Sequence, residues 1–303
     1  MSEMNEAKVC VLMSTYNGER FLSQQLKSIY AQQGVNVSIL VRDDGSSDST
    51  QDILKREAEA KRLEWYAGEN VKPARSFMDL IDKAACRADL YAFSDQDDVW
   101  KNDKLLAAAA KIGNADCPAI YMCQTQLVDE NLQPLSRVNV SPMLTFGEAL
   151  IYQYASGCTM VFNESLRQII SSYKPHYIFM HDMWILCVAF AVGAKVVFDN
   201  KAYVMYRQHQ SNVIGETASK CKNWEKRIRR IRRNERIRSR TVIELLNGYG
   251  EIMTEDNLQL AQNIADYRTS WQSKLKLIFC PRLWSAKKSI GLTSRIAILL
   301  NRF

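Results

Sequence analysis

The chain has no long hydrophobic run: residues 184–194 are apolar for 11 positions before Lys195, well short of the ~20 that cross a bilayer. That stretch reads as a buried helix. The first residues, Met-Ser-Glu-Met-Asn-Glu, lack a basic-then-apolar leader, so no secretion is expected. No Cys-x-x-Cys occurs among the eight cysteines, and free thiols in a reducing cytoplasm are expected. Histidine is scarce, with only His176, His181 and His209, all within 34 residues. Internal repeats are absent, and so is acid from residues 267–303, which hold eight Lys or Arg. What is present, 303 residues with 47% hydrophobic content, can bury one large core with an appendage.

Strand patterns near 9–14, 37–42, 63–67 and 89–94 alternate with helical patterns near 19–32, 49–60, 73–86 and 102–112. Leu22, Leu26 and Ile29 fall on one face of the first helix, and Ser49 with Asp52 matches a capping box for the second. Such alternation implies an α/β fold, a Rossmann-like, mostly parallel sheet flanked by helices, with right-handed crossovers.

Carboxylates gather where these strands end. The apolar Leu90-Tyr91-Ala92-Phe93 runs into Ser94-Asp95-Gln96-Asp97-Asp98-Val99-Trp100. The carboxyl edge of an open sheet is where ligands bind. Like charges so close repel, and a divalent ion, Mg²⁺ or Mn²⁺, compensates them while retaining room for substrate phosphates. The bland alternative is a solvated acidic turn capping the helix near Asn102. A second acidic turn, Arg42-Asp43-Asp44-Gly45-Ser46-Ser47-Asp48, follows the strand at 37–41 and suggests one shared ligand. The first strand ends in Ser14-Thr15-Tyr16-Asn17-Gly18, groups suited to a base or ribose. Arg207 and His209 share a face on an extended segment. Arg207 is then expected on phosphate, and neutral His209 on the metal or the same diphosphate. His181 is expected to orient Asp182 or the backbone; for each histidine the alternative is a purely structural role. Trp100 reads equally as core.

The set Ser14-Thr15-Tyr16-Asn17, Asp43-Asp44-Gly45-Ser46 and Asp95-Gln96-Asp97-Asp98 resembles the family 2 glycosyltransferases, inverting enzymes of the GT-A fold. His181-Asp182-Met183-Trp184 and Tyr206-Arg207-Gln208-His209-Gln210-Ser211-Asn212 resemble signatures of a bacterial rhamnosyltransferase-like subgroup. The five segments occur in order over roughly residues 8–215. The resemblance implies nucleotide-sugar contacts for Thr15, Tyr16, Asn17, Asp43, Asp44, Asp95 and Arg207. It implies metal contacts for Asp97 and His209, and Asp182 as general base. Ser156 and Gly157, in a small-residue turn after Ala155, resemble a segment near the donor sugar. Asp98, His181 and Trp184 join them as candidates for the acceptor or donor sugar, with a core role the alternative for Trp184. Met183 stands where the subgroup commonly has an aromatic.

The implied organisation is a GT-A domain over 1–215, with a nucleotide-binding half at about 1–112 and an acceptor half at about 113–215, then a basic amphipathic helical extension over 216–303. Residues 222–240 hold ten Lys or Arg against Glu225 and Glu235. The chain as a whole carries only +7, so the basic excess is confined to the C-terminal third. In 267–303 the cations interleave with Leu275, Phe279, Trp284, Ile296 and Leu300, a pattern suited to an anionic membrane surface. The alternative is a helix packed on the catalytic domain with a solvated basic face. No nucleic-acid fold signature accompanies the basic run, and no nucleic-acid partner is expected.

The expected activity is transfer of one sugar, L-rhamnose from dTDP-rhamnose by subgroup resemblance, to a hydroxyl of a lipid-linked surface glycan such as an O-antigen or capsule. Its expected location is the cytoplasmic face of the cell membrane, as a peripheral protein. Rivals are a UDP or GDP donor of another sugar, a sugar-phosphate nucleotidyltransferase and a non-catalytic nucleotide-sugar-binding scaffold. The nucleotidyltransferase would be expected to carry a Gly-rich phosphate loop after the first strand, for which Ser14-Thr15-Tyr16-Asn17-Gly18 is a poor substitute.

Overall fold

A computed structural model describes residues 6–85, 87–135, 145–151, 156–209, 236–284 and 288–303. Ala155, the Gln210-Ser211-Asn212 end of the second signature, the boundary near 215 and the basic run up to residue 235 lie outside the described residues.

The strands are β1 (Lys8–Thr15), β2 (Asn36–Asp43), β3 (Glu64–Ala67), β4 (Leu90–Ser94), β5 (Val99–Trp100), β6 (Ala119–Val128), β7 (Val161–Asn163) and β8 (Lys195–Arg207). The helices are α1 (Leu22–Tyr30), α2 (Thr50–Glu59), α3 (Lys72–Lys83), α4 (Lys104–Ile112), α5 (Phe146–Ile151), α6 (Glu164–Ser171) and α7 (His181–Ala191). They are followed by α8 (Ile237–Tyr249), α9 (Glu255–Asp266), α10 (Trp271–Phe279) and α11 (Lys288–Leu299).

One eight-stranded sheet runs β3-β2-β1-β4-β7-β6-β8-β5. The expected parallel pairing holds for β1 with β2 and β4, for β2 with β3, and for β6 with β8. β7 is antiparallel to both β4 and β6, and β5 is antiparallel to β8, so the sheet is mixed but mostly parallel. Register decides where the chemistry sits. Thr15 pairs with Asp43, and Met13 with Ser94, so β1, β2 and β4 deliver their terminal residues to one edge.

Both faces of the sheet are covered, which is why β1 and β4 read as unbroken apolar runs. Alternate residues point to opposite faces. Val9, Val11 and Met13 enter the core beneath α1, α2 and α4. Cys10 and Leu12 enter the other, with α3, α5, α6 and α7. Every α7 residue but Phe190 is buried, the mark of a helix enclosed on all sides.

The capping box expected at Ser49 does not form: Ser49 makes no side-chain cap bond. Asp48 does that work, accepting Thr50 N–H at 3.0 Å and Glu19 N–H at 3.1 Å, while Glu19 Oε2 accepts Ser49 N–H at 2.9 Å. The cap is thus shared with the turn after β1. Helix α1 starts at Leu22, three residues later than the periodicity suggests, because Gly18 O accepts the N–H groups of Phe21 and Leu22 and closes a turn first.

The C-terminal helices pack on the sheet-bearing body of the chain. Val242, Leu245, Tyr249, Leu260, Ile264, Leu277, Ile298 and Phe303 share a core with α5 and α7. Gly147 on α5 lies so close to the Arg282 backbone that a Cβ there would meet its carbonyl oxygen at 2.1 Å. Among the described residues no helix is long and apolar enough to cross a membrane.

Candidate active site

Three loops at the sheet edge are tied into one body. Tyr16 N–H donates to Gln96 Oε1 at 2.9 Å, and Gln96 Nε2 donates back to Tyr16 O at 3.0 Å. That amide lies over Gly18, where a Cβ would sit 2.2 Å from Gln96 Oε1, so a side chain there would have to displace the amide and its two hydrogen bonds to Tyr16. Asn17 adopts φ 49°, a left-handed conformation that Asn tolerates. Its Oδ1 accepts Ser47 N–H at 2.8 Å, and its own N–H donates to Ser46 Oγ at 2.9 Å. Tyr16 is half exposed at 49%, which leaves its ring free to meet a planar ligand.

Asp43 and Asp44, both expected at the nucleoside, are buried and fully engaged. Asp43 accepts Thr15 Oγ1–H at 3.0 Å, Ser46 N–H at 2.9 Å and Gln51 Nε2 at 2.9 Å. Asp44 forms a buried ion pair with Arg42 and accepts the N–H groups of Val71 at 3.1 Å and Lys72 at 3.0 Å. Removing one member of such a pair typically costs about 3–5 kcal/mol. Asp43, Asp44 and buried Thr15 therefore build the loop walls, while Tyr16 and Asn17 form its surface.

The β4 loop concentrates charge. Asp97 Oδ2 meets His209 Nε2 at 2.8 Å, bringing together the two residues expected at a metal. Phe21 joins them, its ring 5.2 Å from that of His209 and 4.4 Å from the Arg207 guanidinium. Arg207 and His209 do share a face. Arg207, expected on phosphate, is instead buried and donates inward, to Asp97 O at 2.7 Å, to Gln24 Oε1 at 2.6 Å and to the Glu130 carbonyl. It shapes the Asp97 loop rather than facing open space. An open cleft of about 520 Å³ lies beside His209, lined by Asp129, Glu130, Asn131 and Gln208.

Ligand atoms of Asp95, Asp98 and Cys158 lie within 4.8 Å of one another. Burial, then Asp97 and Asp182, push Asp95 up to about 7. Burial, then Asp97 and Asp95, raise Asp98 well above the usual carboxylate range. Asp98 Oδ2 is buried without a hydrogen-bond partner, and its Oδ1 accepts Arg207 N–H at 3.2 Å. A hard divalent cation suits this carboxylate set: it would relieve the repulsion that raises Asp95 and Asp98. Burial raises the Cys158 thiol well above 9, a poor ligand for such an ion.

Asp182 adds to the negative charge that raises Asp95. Asp182 lies in the first turn of α7, and its Oδ1 accepts Met183 N–H at 2.7 Å. His181 does not orient it. The imidazole is buried, stacked on Phe77 at 4.0 Å and edge-on to Phe93 at 5.1 Å, and among the described residues neither nitrogen has a hydrogen-bond partner. Burial holds its pKa down at about 4. Gly157 makes room for it: a Cβ there would sit 2.5 Å from His181 Nε2. Ser156 caps the same turn, its carbonyl accepting Thr159 N–H at 2.9 Å. Trp184 is core, 2% exposed and 6.0 Å from the Tyr249 ring. Trp100 is core as well, with the Lys104 ammonium 3.1 Å from the ring centroid.

Gln96, Arg42, Cys158 and Lys104 were not singled out from sequence. Gln96 lay inside the acidic motif, but only the neighbouring Tyr16 turn gives it a task. Lys104 ends buried with no hydrogen-bond partner for its ammonium, and burial lowers it to about 8; nothing in the pattern of α4 signals this.

The family described as Glycosyl transferase family 2 matches residues 10–170, just over half of the chain. A dTDP-rhamnosyl transferase, RfbG of Shigella flexneri, is 29% identical over 227 residues, 68% of this chain and 75% of that protein. Among solved structures, S. aureus TarS 1–349 in complex with UDP-GlcNAc aligns with TM-score 0.58 at 16% identity, over 97% of this chain and 91% of that one. The mannosyltransferase PcManGT of Pyrobaculum calidifontis, in complex with GDP-Man and Mn²⁺, aligns with TM-score 0.54 at 16% identity, over 99% and 89%. At these identities the two structures establish the shared GT-A-like fold.

Proposed function

The chain belongs to glycosyl transferase family 2, and from that premise we propose that it is an inverting, metal-dependent rhamnosyltransferase acting on a lipid-linked surface glycan at the cytoplasmic face of a membrane. The observation that carries the reading is convergence. Loops from β1, β2 and β4 share one sheet edge, and the Gly157-Cys158 turn joins them to α7: Gly157 packs on His181, next to Asp182, and Cys158 Sγ lies within 4.8 Å of Asp95 and Asp98. Rhamnose is favoured by the similarity to a dTDP-rhamnosyl transferase.

In the proposed reaction Tyr16 and Asn17 hold the nucleoside against the loop that Gln96 fixes. The acceptor hydroxyl oxygen attacks the anomeric carbon from the face opposite the nucleotide. Its proton passes to Asp182 Oδ2, since Oδ1 is already hydrogen-bonded to Met183 N–H. The bond from the anomeric carbon to the diphosphate oxygen breaks, and its electron pair leaves with the nucleotide. Proton acceptance of this kind contributes about 10²–10⁴-fold. A divalent cation, Mg²⁺ or Mn²⁺, held by Asp97 and His209 with Asp95 alongside, would neutralise charge on the leaving diphosphate.

The test is turnover and binding with dTDP-rhamnose, UDP-GlcNAc and GDP-mannose in Mn²⁺. We expect dTDP-rhamnose to give the highest kcat/KM, and Asp182→Asn to keep donor affinity while kcat falls by about 10²-fold or more. Full activity in that variant removes Asp182 as base; a preference for UDP-GlcNAc or GDP-mannose removes rhamnose.

A further inference from the structure

The C-terminal helices carry an apolar surface that no described residue covers. On α10, Trp271, Leu275 and Phe279 recur every fourth residue and all are exposed. Along α11 and at the residue after it, Leu292, Ile296 and Leu300 do the same, joined by exposed Leu299. Trp271 at 73% and Phe279 at 76% are the two most exposed large hydrophobics described. Both helices have another apolar face that is properly buried, through Leu277 on α10 and Ile290, Ala297 and Ile298 on α11. The outer stripes are therefore surplus to packing.

The two helices are held together and held to the catalytic half. Arg295 Nε donates to Ile278 O at 2.8 Å, and its guanidinium lies 3.7 Å from the Trp284 ring. The close approach of Arg282 to Gly147 then anchors the segment on α5. Cations frame the surface: Arg268 and Lys276 are exposed, and from residue 267 to 303 there is no Asp or Glu. From residue 267 to 303 eight cations stand against no acid, so a second copy of this face would bring mostly like charge against like, which disfavours self-association through it. An anionic lipid leaflet supplies the missing charge, and Trp, Phe and Leu suit its interface.

We propose that the outer face of α10 and α11, with Trp271, Phe279, Ile296 and Leu300 as its inserting side chains, docks on an anionic lipid bilayer. The apolar side chains enter the headgroup boundary while Arg268 and Lys276 remain among the phosphates. Because α10 and α11 share a core with α5 and α7, docking fixes the height of Asp182 above the bilayer. An acceptor anchored in the same leaflet is then presented at that height. This last step rests on the transferase reading; the docking does not.

The experiment is flotation of the full chain with vesicles of phosphatidylcholine alone or mixed with phosphatidylglycerol, alongside nucleotide calorimetry. We expect capture by the anionic vesicles, loss of capture in high salt, and a blue shift of tryptophan emission on binding. Trp271→Ser combined with Phe279→Ser should lower the bound fraction about tenfold or more, since both side chains lose their burial, with nucleotide affinity unchanged. Equal capture of variant and parent, or no capture of the parent, overturns the proposal. So does a dimer in light scattering that the variant dissolves while vesicles stay unbound. Capture by vesicles without nucleotide binding would instead sink the transferase reading and leave the docking surface standing.

Discussion

His181 ties the stability of the fold to pH in a way its surroundings specify. The ring lies between Phe77 and Phe93 with both nitrogens unpartnered among the described residues, and burial lowers its pKa from 6.5 to about 4. Between those values the unfolded chain binds a proton that the folded chain refuses. Its contribution is therefore intact above the unfolded pKa and is lost as pH falls toward the folded one. The gap corresponds to about 3 kcal/mol. Asp95 runs the opposite way: raised from 3.8 to about 7, it favours the folded state at low pH and loses that contribution as pH rises through 7. The whole-protein curve mixes the two, so the informative quantity is the difference between the parent and His181→Leu. Urea unfolding of both should show the parent losing about 2–3 kcal/mol more than the variant between about pH 7.5 and about pH 4.5. A difference independent of pH would refute the buried, neutral imidazole.

Two further substitutions probe the site. Gly157→Ala forces a Cβ to within 2.5 Å of His181 Nε2; overpacking should cost about 1–3 kcal/mol in urea unfolding, with kcat falling more than donor affinity, and an unperturbed variant would mean that the ring moves freely. Asp97→Ala removes the His209 partner and should abolish the Mn²⁺ dependence of nucleotide binding in calorimetry; unchanged affinity with and without Mn²⁺ would contradict a metal role for Asp97.

The strand and helix alternation was legible because β1 and β4 are apolar on both faces, β2 carries Val37, Ile39 and Val41 on one, and all three end in polar turns. β7 was not: three residues in an irregular stretch carry no periodicity, and their antiparallel pairing with β4 and β6 comes from tertiary packing. The acidic strand ends were visible as motifs, yet their division of labour was not. Sequence shows Asp43 and Asp44 as adjacent carboxylates; only the fold shows Asp44 consumed by Arg42 and two backbone N–H groups. Arg207 misleads for the same reason. Its spacing from His209 gives the correct face, but Gln24 and two carbonyls, from Asp97 and Glu130, claim its donors from distant parts of the chain.

The two halves of the site are held by different physics, and this decides how each responds to change. Tyr16 with Gln96, Asn17 with Ser47 and Glu19 with Asp48 lock the donor loops through hydrogen bonds at an exposed edge. A single deletion there leaves other ties in place. Asp182 has no such lattice: one backbone hydrogen bond is its described tie, and its position follows from a helix enclosed by Phe77 and the C-terminal helices, Tyr249 among them. Packing interiors answer to volume at the scale of one methylene. Core substitutions behind α7 therefore shift the Asp182 carboxylate, the proposed base, while the loops proposed to bind the donor stay in register. Such changes act on kcat before they act on donor affinity, because reaction rate falls steeply with misplacement of about 1 Å whereas nucleotide contacts are made elsewhere.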